Sequence, residues 1–193
     1  MAASASPDDW SWDRYRPLLK LQYRQLQLDP RLRRRFDASD LVQDAFEQAL
    51  KSLDQFHGQT EGERVKWLQK IFRNKAMDRI RKETAAKEDV RRDRSIENAI
   101  AESSARWEIA LGIEDEQPDR QAERREFLFL LADAMEKLPD GQRDAVLLLQ
   151  LMGSKIADAA EQLDRSEKAV SHLLRRGLDR LADLLPDYKP AYP

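Results

Sequence analysis

No cysteine occurs among the 193 residues, so the chain can form neither a disulfide nor a thiolate metal site. Histidine is almost as scarce: His57 and His172 are the only two, too few to build an imidazole cluster for a metal. No apolar run approaches the roughly 18 residues that a membrane-crossing helix needs. The longest candidates, 127–131 and 145–152, stop far short. Residues 1–9 lack the basic-then-apolar order of a secretory signal, which makes the cytoplasm the expected compartment. There is no glycine-rich phosphate loop and no nucleophile–base pair at recognisable spacing, so an enzyme is the least favoured class. Neither a metal nor a cofactor is expected.

What the chain has in quantity is charge. Charged residues make up 36% and apolar ones 41%, a balance suited to a helical protein with modest cores. The net charge of −2 argues against a protein that simply coats DNA. The charges are segregated, however. Lysines and arginines crowd residues 64–94, whereas residues 97–126 are mainly acidic. A chain of this kind can bind phosphate locally while the molecule as a whole stays near neutral.

Apolar spacing is helical almost throughout, with no convincing period-two strand. A first helix starts near Asp8 or Asp9 and ends before Asp29-Pro30, with Leu18, Leu19, Tyr23 and Leu26 on its apolar face. A short basic piece, 31–36, follows. Asp37 or Ser39 can cap a second helix that buries Val42, Ala45, Phe46, Ala49, Leu53 and Phe56. Residues 57–60 form a loop, and a third helix runs from about Glu61 to Lys82, burying Val65, Leu68, Ile71, Phe72 and Ile80. The reading is an all-α fold of two small domains: a three-helix unit over 8–86, a polar linker over 87–121, and a helical unit over 122–186. In the second unit, Leu138-Pro139 marks a break and Gly153 can end a helix. Ile156, Ala159, Ala160 and Leu163 then share a helix face, Asp164-Arg165 makes a turn, and Ser166 caps a final helix with Val170, Leu173, Leu174, Leu178 and Leu181 inward.

Three segments carry chemistry. The pair of helices around Asp164 has the plan of a helix-turn-helix. The outer side of its last helix offers Glu167, Lys168, Ser171, His172, Arg175 and Arg176, side chains able to meet base edges and phosphates; an ordinary helical hairpin with a solvated face has the same pattern. On the second helix, Asp40, Asp44 and Glu47 fall at i, i+4, i+7 and form one acidic edge. Like charges at this spacing cost about 0.2–0.5 kcal/mol per pair. Acids near a helix start partly offset that through the helix dipole, and a docking surface for a basic partner is the alternative explanation. On the third helix, Lys66, Lys70, Arg73, Met77 and Arg81 share a face with Asn74 beside it, a row suited to a nucleic-acid backbone. The loop at its head could hold an unpaired base.

These residues resemble a known family. The stretch Asp37-Ala-Ser-Asp40-Leu-Val-Gln-Asp44-Ala-Phe46, followed by Trp67-Leu-Gln-Lys-Ile-Phe-Arg-Asn74-Lys-Ala-Met-Asp78-Arg-Ile-Arg81, is similar to conserved region two of sigma-70 factors. The small extracytoplasmic-function (ECF) type is the nearest in kind. Leu138-Pro-Asp-Gly-Gln-Arg143, then Gly153 to Leu185, is similar to region four. The resemblance implies an initiation factor without catalytic activity that binds core RNA polymerase, through the beta-prime clamp helices and the beta subunit, and promoter DNA. It implies a polymerase-binding surface at Asp37, Asp40, Leu41, Gln43, Asp44 and Glu47. The minus-ten element would be recognised and opened by His57, Gln59, Lys66, Lys70, Arg73, Asn74, Met77, Asp78, Arg81 and Lys82. The minus-thirty-five element would be read by Ser166, Glu167, Lys168, Ser171, His172, Arg175 and Arg176. An anti-sigma protein or another signalling regulator is the implied further partner, and the nucleoid the implied location when bound to polymerase.

Some positions depart from the family pattern. Asp164 stands where glycine is common, and it tolerates the left-handed conformation better than most residues. Arg165 replaces a usually apolar turn residue. Leu173 and Leu178 occupy positions where many relatives carry bases, which lowers the expected affinity for duplex DNA. Two other classes fit parts of the pattern: a stand-alone helix-turn-helix regulator that binds duplex DNA without polymerase, and a helical adaptor that binds only protein.

Overall fold

A computed structural model describes residues 10–26, 37–84 and 118–186. The expected basic piece at 31–36, the helix start at Asp8 or Asp9 and the linker up to residue 117 lie outside that set. Among the described residues the regular elements are all helical, in agreement with the all-α expectation. The chain divides into two compact units, 1–128 and 129–193.

The first unit contains α1 (Trp12–Gln25), α2 (Ala38–Lys51) and α3 (Glu61–Thr84). Leu41, Val42, Ala45, Phe46 and Ala49 fall on one face of α2 and are buried. Val65, Leu68, Phe72, Ala76 and Ile80 recur at three- and four-residue intervals on α3 and are buried as well. Burial of a side chain such as Phe72, which is 1% exposed, stabilises the fold by about 1.5–3 kcal/mol. Asp37 is the cap of α2, its carboxylate accepting from the Asp40 backbone N–H at 2.9 Å.

The second helix ends sooner than its apolar spacing suggests. Ser52 Oγ donates to the Gln48 carbonyl at 2.7 Å and competes with continued helix at that point. A 3-10 turn over Leu53–Gln55 follows, and Phe56 is extended. Phe56 therefore leaves the helix altogether and joins a group of aromatic rings.

The second unit is built on the last part of α4 (Pro118–Glu136), α5 (Asp140–Val146), α6 (Ile156–Leu163) and α7 (Glu167–Leu184). The division between units falls inside α4, between Leu128 and Phe129. Arg143 closes the bend after α4. Its Nε donates to the Met135 carbonyl at 2.7 Å, and its Nη2 donates to those of Glu136 and Leu138 at 2.9 and 2.6 Å. A helix end leaves such carbonyls short of partners; here one buried guanidinium serves three, of which the Met135 carbonyl also accepts from the Leu138 N–H at 3.2 Å. A π turn over Leu147–Leu151 follows α5, and Gly153 leaves it with a positive φ of 66°.

Between α6 and α7, Asp164 adopts the left-handed conformation (φ 51°, ψ 53°). Ser166 caps α7, its hydroxyl accepting from the Ala169 N–H at 3.2 Å. Ala145, Leu148, Ala159, Ala160 and Val170 form the core that seats α7. Gly177 permits its close approach to α5: a Cβ there would lie 2.8 Å from Val146 Cγ2 and 3.2 Å from the Gln142 carbonyl oxygen.

Candidate functional site

The helix α3 has two polar faces. Lys66, Lys70, Asn74 and Arg81 are exposed, with Arg73 and Met77 half-buried among them, so the expected cationic row exists as a surface. Lys75, Asp78, Arg79 and Lys82 recur at the same intervals but lie about a third to a half turn away at 100° per residue. They line an open cleft of about 310 Å³ together with Asp44, Glu47, Gln48 and Lys51 of α2. Asp78 and Lys82, expected beside the minus-ten reading row, thus face the acidic edge instead.

That edge is not uniform. Asp40 and Glu47 are exposed, whereas Asp44 is half-buried and accepts from Arg79 Nη1 at 2.5 Å. Gln43 is exposed and reaches Glu47 through its Nε2 at 3.5 Å. Leu41, expected on the polymerase surface, is 0% exposed. Its place is in the core between α2 and its neighbours, and its side chain cannot meet a partner while the unit is folded. It shares the face of Val42 and Ala45, which is where the helical period puts it.

At the head of α3 the loop 57–60 is tightly held. Thr60 and Glu63 form a reciprocal cap: Thr60 Oγ1 accepts from the Glu63 N–H at 3.3 Å, and Glu63 Oε2 accepts from the Thr60 N–H at 2.9 Å. The same oxygen accepts from the Gln59 N–H at 2.8 Å and from the Thr60 hydroxyl at 3.0 Å. The backbone N–H groups of Thr60 and Gln59, with the Thr60 hydroxyl behind them, hold the Glu63 carboxyl below its ordinary value of 4.5. A Cβ on Gly58 would lie 2.5 Å from Phe56 Cζ, so the loop backbone rests directly on the Phe56 ring. The side chains of His57 and Gln59 point outward and are exposed. Neither Glu63 nor Phe56 was expected to serve the loop, although the Thr60-x-x-Glu63 spacing is a capping signature visible in the sequence.

Beneath the loop, Arg64 turns inward and does not add to the cationic row. Its guanidinium lies 5.4 Å from the Trp10 ring centroid. Burial pushes the Tyr15 phenol up, Glu61 adds to this, and a hydrogen bond from Arg64 opposes it.

In the second unit Ser166, Glu167, Lys168, Ser171, His172, Arg175 and Arg176 are all exposed. Two of these already spend their hydroxyls on α7 itself. Ser166 caps the helix, and Ser171 Oγ donates to the Glu167 carbonyl at 2.9 Å. The groups left to reach outward are Glu167, Lys168, His172, Arg175 and Arg176. Among the described residues no group of three or more histidine, cysteine, aspartate or glutamate side chains could hold a metal.

Two family models match the chain: sigma-70 region 2 over residues 12–86 and sigma-70 region 4 over residues 128–181. The chain is 29% identical over 191 residues to an ECF RNA polymerase sigma factor, SigM, of Mycobacterium tuberculosis, covering 96% of this chain and 82% of the relative. It is 31% identical over 151 residues to the RNA polymerase sigma factor CnrH of Cupriavidus metallidurans, covering 77% of this chain and 73% of that protein.

Proposed function

The chain belongs to the sigma-70 family as a promoter-recognition sigma factor of the ECF type, serving RNA polymerase at promoter DNA, and on that premise we propose how its residues divide the work. The exposed carboxylates Asp40 and Glu47, with Asp37, Gln43 and the half-buried Asp44, dock the first unit on the beta-prime clamp helices; the beta subunit completes the grip on polymerase. Opposed charge suits them to a basic surface. His57 and Gln59, with the cationic row of α3, bind and hold open the minus-ten element. Glu167, Lys168, His172, Arg175 and Arg176 read the minus-thirty-five element. Residues 8–86 and 122–186 are the two working domains, with 87–121 as their connection.

The observation that carries this reading is the two-faced α3. One face closes a cleft with the acidic helix, and the other presents cations in line with an exposed loop. Melting on this reading uses binding energy alone, because unpaired bases held by the loop and the row offset stacking lost at a few kcal/mol per step. The chain has no catalytic step of its own. Polymerase tethers both DNA-reading units, so sites that are weak alone act at high effective concentration. That accounts for a nearly neutral protein with Leu173 and Leu178 on its reading helix. A protein partner that covers the acidic edge, of the anti-sigma kind, would keep the factor idle. The workplace is the cytoplasm.

Run-off transcription with core polymerase tests the assignment. Added protein should give promoter-specific transcripts, and purified protein alone should bind duplex promoter weakly in a gel shift. Tight duplex binding without polymerase, and no initiation with it, would point to a stand-alone regulator.

A further inference from the structure

Trp10 lies two residues before the region 2 match begins, and that match gives it no role. It is nevertheless 4% exposed and sits at the centre of an aromatic group. Its ring meets Phe56 and Trp67 edge-on, with centroids 5.2 and 5.7 Å apart. Phe56 and Trp67, on either side of the loop 57–60, approach each other to 5.2 Å. Edge-to-face arrangements of this kind are favourable beyond the area they bury. The Phe56 ring in turn supports the backbone at Gly58, where even a methyl group would collide with it. A continuous packed path therefore runs from Trp10 through Phe56 to the loop.

We propose that Trp10 is a positioning residue for the loop 57–60, fixing the geometry in which His57 and Gln59 take hold of an unpaired base. This rests on the reading of that loop as the element that captures the opened minus-ten strand. The loop is fastened at two ends. Glu63 holds the Gln59 and Thr60 backbone, and the floor of rings holds Phe56 and Gly58. Removing the indole leaves Phe56 without its edge-on partner while the cap survives. The loop then keeps its anchor on α3 and loses its support from below. Among the described residues the indole N–H has no hydrogen-bond partner, so the ring and not the donor is what matters. A phenylalanine should therefore replace it with little loss.

The test uses full-length Trp10→Leu, Trp10→Phe and Gln59→Ala proteins, each assembled with core polymerase. Three quantities are measured: thermal midpoint, affinity for core, and affinity of the holoenzyme for a single-stranded minus-ten oligonucleotide. The same holoenzymes are compared in initiation from a duplex promoter and from one with the minus-ten region already unpaired. For Trp10→Leu, oligonucleotide affinity should fall about tenfold, the scale on which a loosened supporting shell weakens a site, with core affinity unchanged. Initiation should fall on both templates, and Trp10→Phe should restore it. If Gln59→Ala weakens oligonucleotide binding and Trp10→Leu does not, or if Trp10→Leu lowers core and oligonucleotide affinity alike in step with its thermal midpoint, Trp10 is core packing only and the proposal is overturned. If Gln59→Ala leaves oligonucleotide binding untouched, the loop does not hold the base, and the proposal falls with that reading.

Discussion

The Asp44 carboxylate of α2 accepts from Arg79 Nη1 of α3 at 2.5 Å, tying the helix assigned to polymerase to the helix assigned to DNA. Both side chains keep more than a third of their surface in solvent, so the pair is screened and contributes under about 1 kcal/mol to stability. Its importance lies in charge: Arg79 neutralises one of the three carboxylates on the acidic edge. Arg79→Gln should leave the urea midpoint nearly unchanged and tighten binding to core polymerase, whereas Asp44→Asn should weaken it. Fluorescence titration of labelled protein with core enzyme distinguishes these; equal affinity for all three forms would remove Asp44 from the docking surface.

Acid should release the loop before it unfolds the domain. Glu63 has a folded-state carboxyl pKa held below 4.5 by the Thr60 and Gln59 N–H groups. A lowered carboxylate pKa contributes stability that is present above the unfolded value and is lost as pH falls through the folded one. The Gln59 and Thr60 amide resonances should therefore move together with the Glu63 carboxyl, at a pH below 4.5. Glu63→Gln should abolish that transition while helix resonances remain. Titration of the Glu63 carboxyl at its ordinary value would contradict the cap.

Asp164→Gly should stabilise the second unit. A left-handed conformation costs a non-glycine residue about 1–2 kcal/mol, less for aspartate, and glycine gives back part of the gain through unfolded-state entropy. The expected net gain is therefore small, under about 1 kcal/mol, read from the urea midpoint. Asp164→Val should lose about 1–2 kcal/mol by the same argument. Stabilisation by valine would show that the turn is not strained.

Arg143 is a structural cation. Arg143→Met should cost about 2–3 kcal/mol, because three carbonyls at the end of α4 lose a charged donor within a buried bend. The loss should appear in chemical denaturation of the second unit, residues 129–186, within the full chain, with the first unit's transition unmoved.

Much of this was legible in the sequence, and the parts that were not share a cause. The caps Asp37 and Ser166 and the left-handed Asp164 follow from local chemistry, since each depends on a few neighbouring residues. The apolar faces of α2 and α3 follow from the 3.6-residue period. Leu41 was misplaced because a linear motif names positions without saying which way they face; the period alone sets it beside Val42 in the core. Asp78 and Lys82 illustrate the same point: each adjoins a member of the cationic row in sequence, but one residue is 100° of helix rotation and carries it into the cleft. The end of α2 at Lys51 depended on the Ser52 hydroxyl choosing the Gln48 carbonyl. The support under the loop depended on Trp10, more than forty residues away in the chain, and no local pattern announces that meeting.

Permanganate reactivity of promoter complexes tests the central claim most directly. With core polymerase and this protein, thymines in the minus-ten element should become reactive. Gln59→Ala, or loss of the Lys66, Lys70 and Arg81 charges, should suppress that reactivity while core binding persists. A promoter that initiates yet stays unreactive at the minus-ten element, or one whose opening is indifferent to those residues, would contradict it.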